Sequence, residues 1–177
     1  MKVLRSIGLA FSLFSRLPAP HLDWQEDNMA YALAALPLVG LVIGLLLLAW
    51  QALAGAWGFG PLLRAAGLTL LPLAVSGGLH LDGFADTVDA LSSHGDQEQK
   101  RRIMKDPHCG AFAVMGIAGY LLLYAALAAE LPSGICWLLL PLPVLSRALG
   151  ALASLTFAPA AGPGPGLLST CRQAIHR

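Results

Sequence analysis

The sequence predicts an all-α, polytopic integral membrane protein of one domain, and three observations carry that reading. Of the 177 residues, 56% are hydrophobic and only 12% charged, against roughly a quarter charged in an ordinary soluble domain. Uncharged runs extend for tens of residues, long enough to cross a bilayer. The charges that do occur gather in a few short segments, chiefly residues 80–108. With 11 Lys+Arg against 10 Asp+Glu, the net charge of +1 excludes the basic field of a nucleic-acid binder. High hydrophobicity with little charge excludes intrinsic disorder. Cys109, Cys136 and Cys171 lie 27 and 35 residues apart. They fit no zinc-ligand spacing and read as small apolar fillers.

Taken in order, the first element is N-terminal. Lys2 and Arg5 precede an apolar stretch, 7–14, that Arg16 stops, and LPAPHLDW follows without a small-x-small cleavage site. This predicts an interfacial or re-entrant amphipathic helix rather than a cleaved signal. No charge lies between Asp27 and Arg64, and 30–56, with LVGLVIGLLLLAW, forms the first span. A second span, 65–81, requires Arg64 to snorkel and protein to shelter His80 and Asp82. The third, 109–129, is uncharged throughout. The fourth, 131–147, carries ICWLLLPLPVL and is expected to bend at Pro141 and Pro143. Beyond it a short helix is expected, then a loop at PAAGPGPG, where proline and glycine break any helix.

Basic residues orient this layout. A cytoplasmic N-terminus places Lys2, Arg5, Arg16, Lys100, Arg101, Arg102, Lys105 and Arg147 inside and only Arg64 outside, with Arg172 and Arg177 unassigned. That bias predicts that loop 80–108 faces the cytoplasm.

The same loop holds six of the ten acids. Asp82, Asp86 and Asp89 stand at i, i+4 and i+7, so they share one face of a helix. Like charges so placed repel, more strongly at a membrane boundary, and the nearest lysines and arginines are ten or more residues away. A divalent cation compensates them economically, and hard oxygen ligands favour Mg2+ or Mn2+ over zinc. A solvated helix face is the bland alternative. Against it stand Gly83, Phe84, Ala85 and Val88, which do not suit an exposed face.

Around this triad lie weaker signals. His80, two residues before Asp82, belongs to the site's surroundings or to packing. Asp96 and Gln99 form a capping pattern for a short helix, EQKRRIMK, that ends near Pro107. Within it Glu98 and Arg102 are a surface ion pair or part of the site. Lys100, Arg101, Arg102 and Lys105 mark the cytoplasmic side and offer a phosphate-facing patch. Asp106, with His108 beside it at the mouth of the third span, is a metal ligand or a helix cap. His94 reads as a loop residue, and His21 and His176 carry no signal.

An acid-rich magnesium site beside a basic patch supports phosphoryl transfer, in which a carboxylate takes the proton of an attacking hydroxyl. A cation transporter subunit is the rival from another class, but it would bury acids near mid-bilayer on several spans. Another membrane phosphotransferase, of the Mg2+-dependent CDP-alcohol type, is the alternative within the same class.

Three segments, FSLFSRLPAP (11–20), GGLHLDGFADTVDA (77–90) and RIMKDPHCGAF (102–112), together resemble the cobalamin synthase family of adenosylcobinamide-GDP ribazoletransferases. The resemblance covers nearly the whole chain, and DGxADTxD is its most specific part. It implies an integral membrane, Mg2+-dependent transferase of late vitamin B12 assembly. In that reaction a hydroxyl of α-ribazole, or of its 5′-phosphate, attacks the cobinamide-linked phosphate and expels GMP. On the matching positions it implies Asp82, Asp86 and Asp89 as the catalytic, metal-binding acids, with Asp106 in the following motif. The expected substrate-binding residues are His80, Arg102, Lys105, Asp106, His108 and, from the N-terminal segment, Arg16. The expected partners are the two substrates and the bilayer, with homo-oligomerisation left open. The chain departs from the family at Ala90, where glycine is usual, and at His108, where arginine is common. Family members continue through further membrane helices, so the chain ending at Arg177 is expected to lack their C-terminal region.

Overall fold

A computed structural model describes residues 2–19 and 31–157, and every regular element in them is helical. The expectations for PAAGPGPG, Cys171, Arg172, Arg177, His21 and His176 lie outside the described residues.

Helix α1 (Lys2–Phe14) buries Ser6, Leu9, Ala10 and Phe14 while Leu4 stays exposed, the spacing of an amphipathic helix with one face on a core. Thirteen residues rise only about 20 Å, short of the ~30 Å hydrocarbon thickness. It packs against α2 (Leu36–Ala56). Along α2, Val39, Gly40, Ile43, Gly44 and Leu47 form the buried stripe, and Leu38, Leu41 and Leu45 on other faces are exposed. This helix is the centre of the core.

Helix α3 (Pro61–Ser76) returns alongside α2. Trp50 occupies the space that any side chain at Gly67 would need, and its indole N–H donates to the Arg64 carbonyl at 3.0 Å. At Gly77 and Gly78 φ is +65° and +82°, backbone that glycine adopts without steric cost. The chain there turns by 94° into α4 (Leu79–Ser92). The segment expected to span through residue 81 therefore ends its first helix at Ser76, and His80 and Leu81 belong to α4. Asp96 caps α5 (Gln97–Ile103), its Oδ1 accepting from the Gln99 N–H at 2.8 Å.

Helix α6 (Ala111–Ala129) packs on α3 and α4 yet buries only Ala113 and Ala128. Its exposed Phe112, Val114, Met115, Leu122, Leu123 and Leu127 suit a lipid-facing surface. A 3-10 segment (Ser133–Leu139) then leads into α7 (Pro141–Thr156). Pro141 opens α7 and Pro143 lies in its first turn, where a missing amide hydrogen breaks no helical bond. The prolines thus mark a junction, not a bend in mid-helix. Helix α7 continues past residue 147 without a break, which corrects the expected end at 147 and the separate short helix from 148. The apolar stretch Gly134–Thr156 is 23 residues long. Arg147 consequently sits inside this stretch and leaves the tally of loop charges.

By length and composition, α2, α6 and Gly134–Thr156 can each cross a membrane, and the bent α3–α4 pair adds a fourth candidate. The tightest crossing is α2 on α7. A Cβ at Gly40 would lie 2.5 Å from the Pro143 carbonyl oxygen, and one at Gly44 2.6 Å from that of Leu140. Small residues four apart admit such backbone approach.

Candidate active site

The 94° turn sends α4 off at nearly a right angle to α3, so if α3 crosses the bilayer, α4 lies along its surface. At 100° per residue, the helix presents His80, Leu81 and Phe84 to one side and Asp82 and Asp86 to the other. Val88 and Asp89 turn toward α6. Val88 packs on Gly116, and the Phe84 and Tyr120 rings are 5.7 Å apart.

Asp82 is exposed and Asp86 partly so. They are one helical turn apart, and among the described residues neither carboxylate has a hydrogen-bond or ion-pair partner. The Asp86 carboxyl is raised above the usual carboxylate range, first because partial burial disfavours its charge and then because Asp82 and Asp89 repel it. A carboxylate in that state gains from a cation.

Asp89 stands apart from that pair. Its Oδ2 accepts from the Gly110 N–H at 2.6 Å and its Oδ1 from the Ala113 N–H at 2.8 Å. The side chain caps α6, satisfying amides that a helix N-terminus leaves without partners. No group of three or more Asp, Glu, His or Cys side chains is arranged to hold a metal ion among the described residues. Of the three acids expected to bind metal, Asp89 gives both its oxygens to backbone amides, whereas Asp82 and Asp86 make no such bonds among the described residues.

The segment that Asp89 anchors carries Asp106 and His108. Asp106 Oδ1 accepts from the His108 N–H at 2.9 Å and lies 2.6 Å from His108 Nδ1. These bonds, the backbone one foremost, hold the Asp106 carboxyl below its ordinary range. With Nδ1–H donated to Asp106, His108 keeps Nε2 as an acceptor.

The remaining expected residues divide. Arg16 is brought to the bend: its N–H donates to the Val75 carbonyl at 2.7 Å, and its side chain lies over Gly77. Arg102 pairs with Glu98 at 3.0 Å, both about three-quarters exposed, which is a surface ion pair. Lys105 is exposed at the end of the α5 turn. His80 is not beside the acids. It lies on the opposite side of α4 and lines a cavity of about 500 Å³ between α2, α3, α4, α6 and the 3-10 segment with α7.

That cavity also holds a residue that the sequence reading placed elsewhere. Arg147 lines it, together with Tyr120, Tyr124 and Ser146. Its Nε is buried without a hydrogen-bond partner among the described residues. The signal was available: 144–156 contains no helix breaker apart from a glycine and a single ionisable residue, and an ionisable side chain within a span marks function by default.

Comparison with known proteins adds to this geometry. The family model described as cobalamin-5-phosphate synthase matches residues 6–176. The adenosylcobinamide-GDP ribazoletransferase of Lachnoclostridium phytofermentans is 39% identical over 177 residues, all of this chain and 67% of the relative. That of Pseudomonas paraeruginosa is 41% identical over 166 residues, 92% of this chain and 66% of the relative. That of Clostridium botulinum is 32% identical over 115 residues, 65% of this chain and 46% of the relative. The chain thus spans between about half and two thirds of the length of these relatives. No solved structure matches it.

Proposed function

The chain belongs to the cobalamin-5-phosphate synthase family, and on that premise we propose that it performs the reaction its relatives are named for, ribazole transfer to adenosylcobinamide-GDP. The observation that carries this reading is the Asp82–Asp86 pair, set on a helix that two left-handed glycines turn out of the bundle. A hydroxyl of α-ribazole, or of its 5′-phosphate, forms a new bond to the cobinamide-linked phosphorus. The bond from that phosphorus to the oxygen of GMP breaks, and GMP leaves with the bridging electron pair.

Asp82 and Asp86 would hold Mg2+, because the ion is commonly bound by one or two carboxylates with substrate phosphates completing its shell. Bound there, it neutralises charge on the diphosphate. Each carboxylate has a second oxygen, and Asp86, with its raised proton affinity, suits the hydroxyl proton. Arg16 across the bend and Lys105 beyond α5 supply positive charge for the leaving phosphate. Asp89 acts through α6: it fixes the segment that carries Asp106 and His108 against the acid helix.

Helices α2, α3, α6 and α7 contain no Asp or Glu. This disfavours a transmembrane cation path, which needs acids within the spans. The proposed orientation puts α4 and α5 in the cytoplasm. After the native cysteines are replaced, a cysteine at Ser93 should react with an impermeant probe only from inside and one at Trp57 only from outside.

The test of function is GMP release by the purified chain in lipid nanodiscs, given adenosylcobinamide-GDP, α-ribazole and Mg2+. Asp82→Asn and Asp86→Asn should each lower turnover a hundredfold or more, about 3 kcal/mol of transition-state stabilisation. Glu98→Gln should stay within a few-fold. Full turnover in both Asp variants would defeat the assignment.

A further inference from the structure

The cavity behind α4 has a chemical character that the acid face does not explain. Its walls bring one guanidinium, one imidazole, two phenols and the hydroxyls of Thr69, Ser76 and Ser146 to a space otherwise bounded by apolar side chains such as Ile43, Leu47, Phe84 and Leu142. No carboxylate among the described residues lines it. Arg147 stands on the fourteenth residue of the 23-residue apolar stretch Gly134–Thr156, far from either end. A permanently charged side chain at that depth is costly, and membrane proteins keep one only where something of opposite charge or water meets it. The buried Nε has no hydrogen-bond partner among the described residues. A volume of about 500 Å³ falls within the ordinary range for small-molecule sites.

We propose that Arg147, with His80, Tyr120 and Tyr124 around it, binds the phosphate of a phosphate monoester inside the helix bundle. A planar guanidinium offers several N–H donors in a fixed fork, and hydroxyl and imidazole groups add further donors, a set matched to a tetrahedral oxyanion carrying several acceptors. The apolar wall takes the uncharged body of the ligand. This deepens the proposed reaction and rests on it for the identity of the ligand: the 5′-phosphate of the ribazole substrate is the soluble source of that group. The monoester headgroup of phosphatidic acid, entering from the bilayer, is the other. The cavity and the acid helix share α4, since His80 and Phe84 line one side of it while Asp82 and Asp86 occupy the other.

The experiment uses the full chain in nanodiscs of phosphatidylcholine, without turnover. Binding of α-ribazole 5′-phosphate and of α-ribazole is measured by calorimetry on wild type, Arg147→Gln and Arg147→Lys, with helicity and thermal midpoint confirming that each variant folds. Wild type should bind the phosphorylated compound at least tenfold more tightly than the alcohol. In Arg147→Gln that preference should vanish while affinity for the alcohol is retained, and Arg147→Lys should keep part of it. A second arm adds phosphatidic acid, whose headgroup is a phosphate monoester, and follows bound lipid by native mass spectrometry. Lipid retained by wild type and lost in Arg147→Gln, with no preference for the ribazole phosphate, supports the phosphate site and names lipid as its source. Equal behaviour of wild type and Arg147→Gln toward both ligands overturns the proposal. Absence of GMP release in wild type would instead count against the proposed reaction, a separate result because none of these binding measurements needs turnover.

Discussion

Asp89 accepts a 2.6 Å hydrogen bond from the backbone N–H of Gly110, 21 residues further along the chain. Its other oxygen takes the N–H of Ala113, so one carboxylate caps α6 from α4. An anion at a helix N-terminus also meets the positive end of the helix dipole. Two elements that the intervening loop would otherwise leave loosely joined are thereby held at one point, with Val88 packed on Gly116 three residues beyond Ala113.

Asp89→Ala should cost about 1–2 kcal/mol of stability, the loss of a charged cap with two buried or half-buried amides left unpaired. Asp89→Asn should cost less, because one amide oxygen remains an acceptor while the NH2 group faces a donor. Gly110→Ala should resemble Asp89→Ala, since a Cβ there would lie 2.7 Å from both carboxylate oxygens and displace them. Thermal unfolding in detergent orders the three. A neutral Asp89→Ala would show that the cap carries no stability.

Asp86 predicts a pH-dependent gain. Its folded carboxyl titrates above 3.8, so ionisation disfavours the fold. Above the raised value the penalty is fully present, and below the unfolded value both states are protonated and it is absent. Asp86→Asn in EDTA should therefore be slightly more stable than wild type at pH 7, by about 0.3 kcal/mol per relieved pair. The advantage should fade as pH falls through the raised value. Asp106 has the opposite sign: its lowered carboxyl favours the fold above the unfolded value and loses that contribution as acid protonates it. The difference between Asp86→Asn and wild type isolates the first effect. Thermal midpoints between pH 3 and 7 measure it, and a destabilised variant at pH 7 would refute it.

These residues show what local chemistry reveals. Runs without charge announce α2 and α6, because crossing a bilayer requires only length and apolarity. The i, i+4, i+7 acids define a helix face, and the cap at Asp96 lies within three residues of its partner, so both were legible. The task of Asp89 was not, because its amides are 21 and 24 residues away and no periodicity encodes that meeting. Gly77 and Gly78 fell within the expected span 65–81, since only their positive φ discloses the bend. Arg147, taken as a charge flanking the fourth span, set the expected end at 147 and hid the continuity of α7.

The bend predicts a double-mutant cycle. Gly78→Ala meets open space but must hold φ near +82°, at a cost of about 1 kcal/mol. Gly77→Ala adds a Cβ 2.8 Å from Arg16 Cγ and should cost more. Because the obstacle is a flexible side chain, Arg16→Ala should recover the excess in Gly77→Ala and nothing in Gly78→Ala. Unfolding midpoints of the single and double variants measure this. Equal costs at the two glycines would mean that Arg16 does not rest on the bend.

The contact between α2 and α7 gives the last prediction. At Gly44 the obstructing atoms are backbone, the Leu140 carbonyl oxygen at 2.6 Å and its Cα at 2.9 Å, so no rotamer change can admit a methyl group. The helices must separate, and separation loosens the junction where the 3-10 segment becomes α7. Ile43 and Leu47 on α2, and Leu142 and Arg147 on α7, line the cavity together, so the same displacement opens its wall. Gly44→Ala should cost about 1–3 kcal/mol, the usual penalty for overpacking, and should weaken phosphate-monoester binding in parallel. Gly119→Ala, which meets nothing within 4 Å on α6, is the control and should be neutral or slightly stabilising through helix propensity. Unfolding midpoints and binding isotherms on the two variants check both halves. A Gly44→Ala protein as stable as wild type would show that α2 and α7 do not touch at this point.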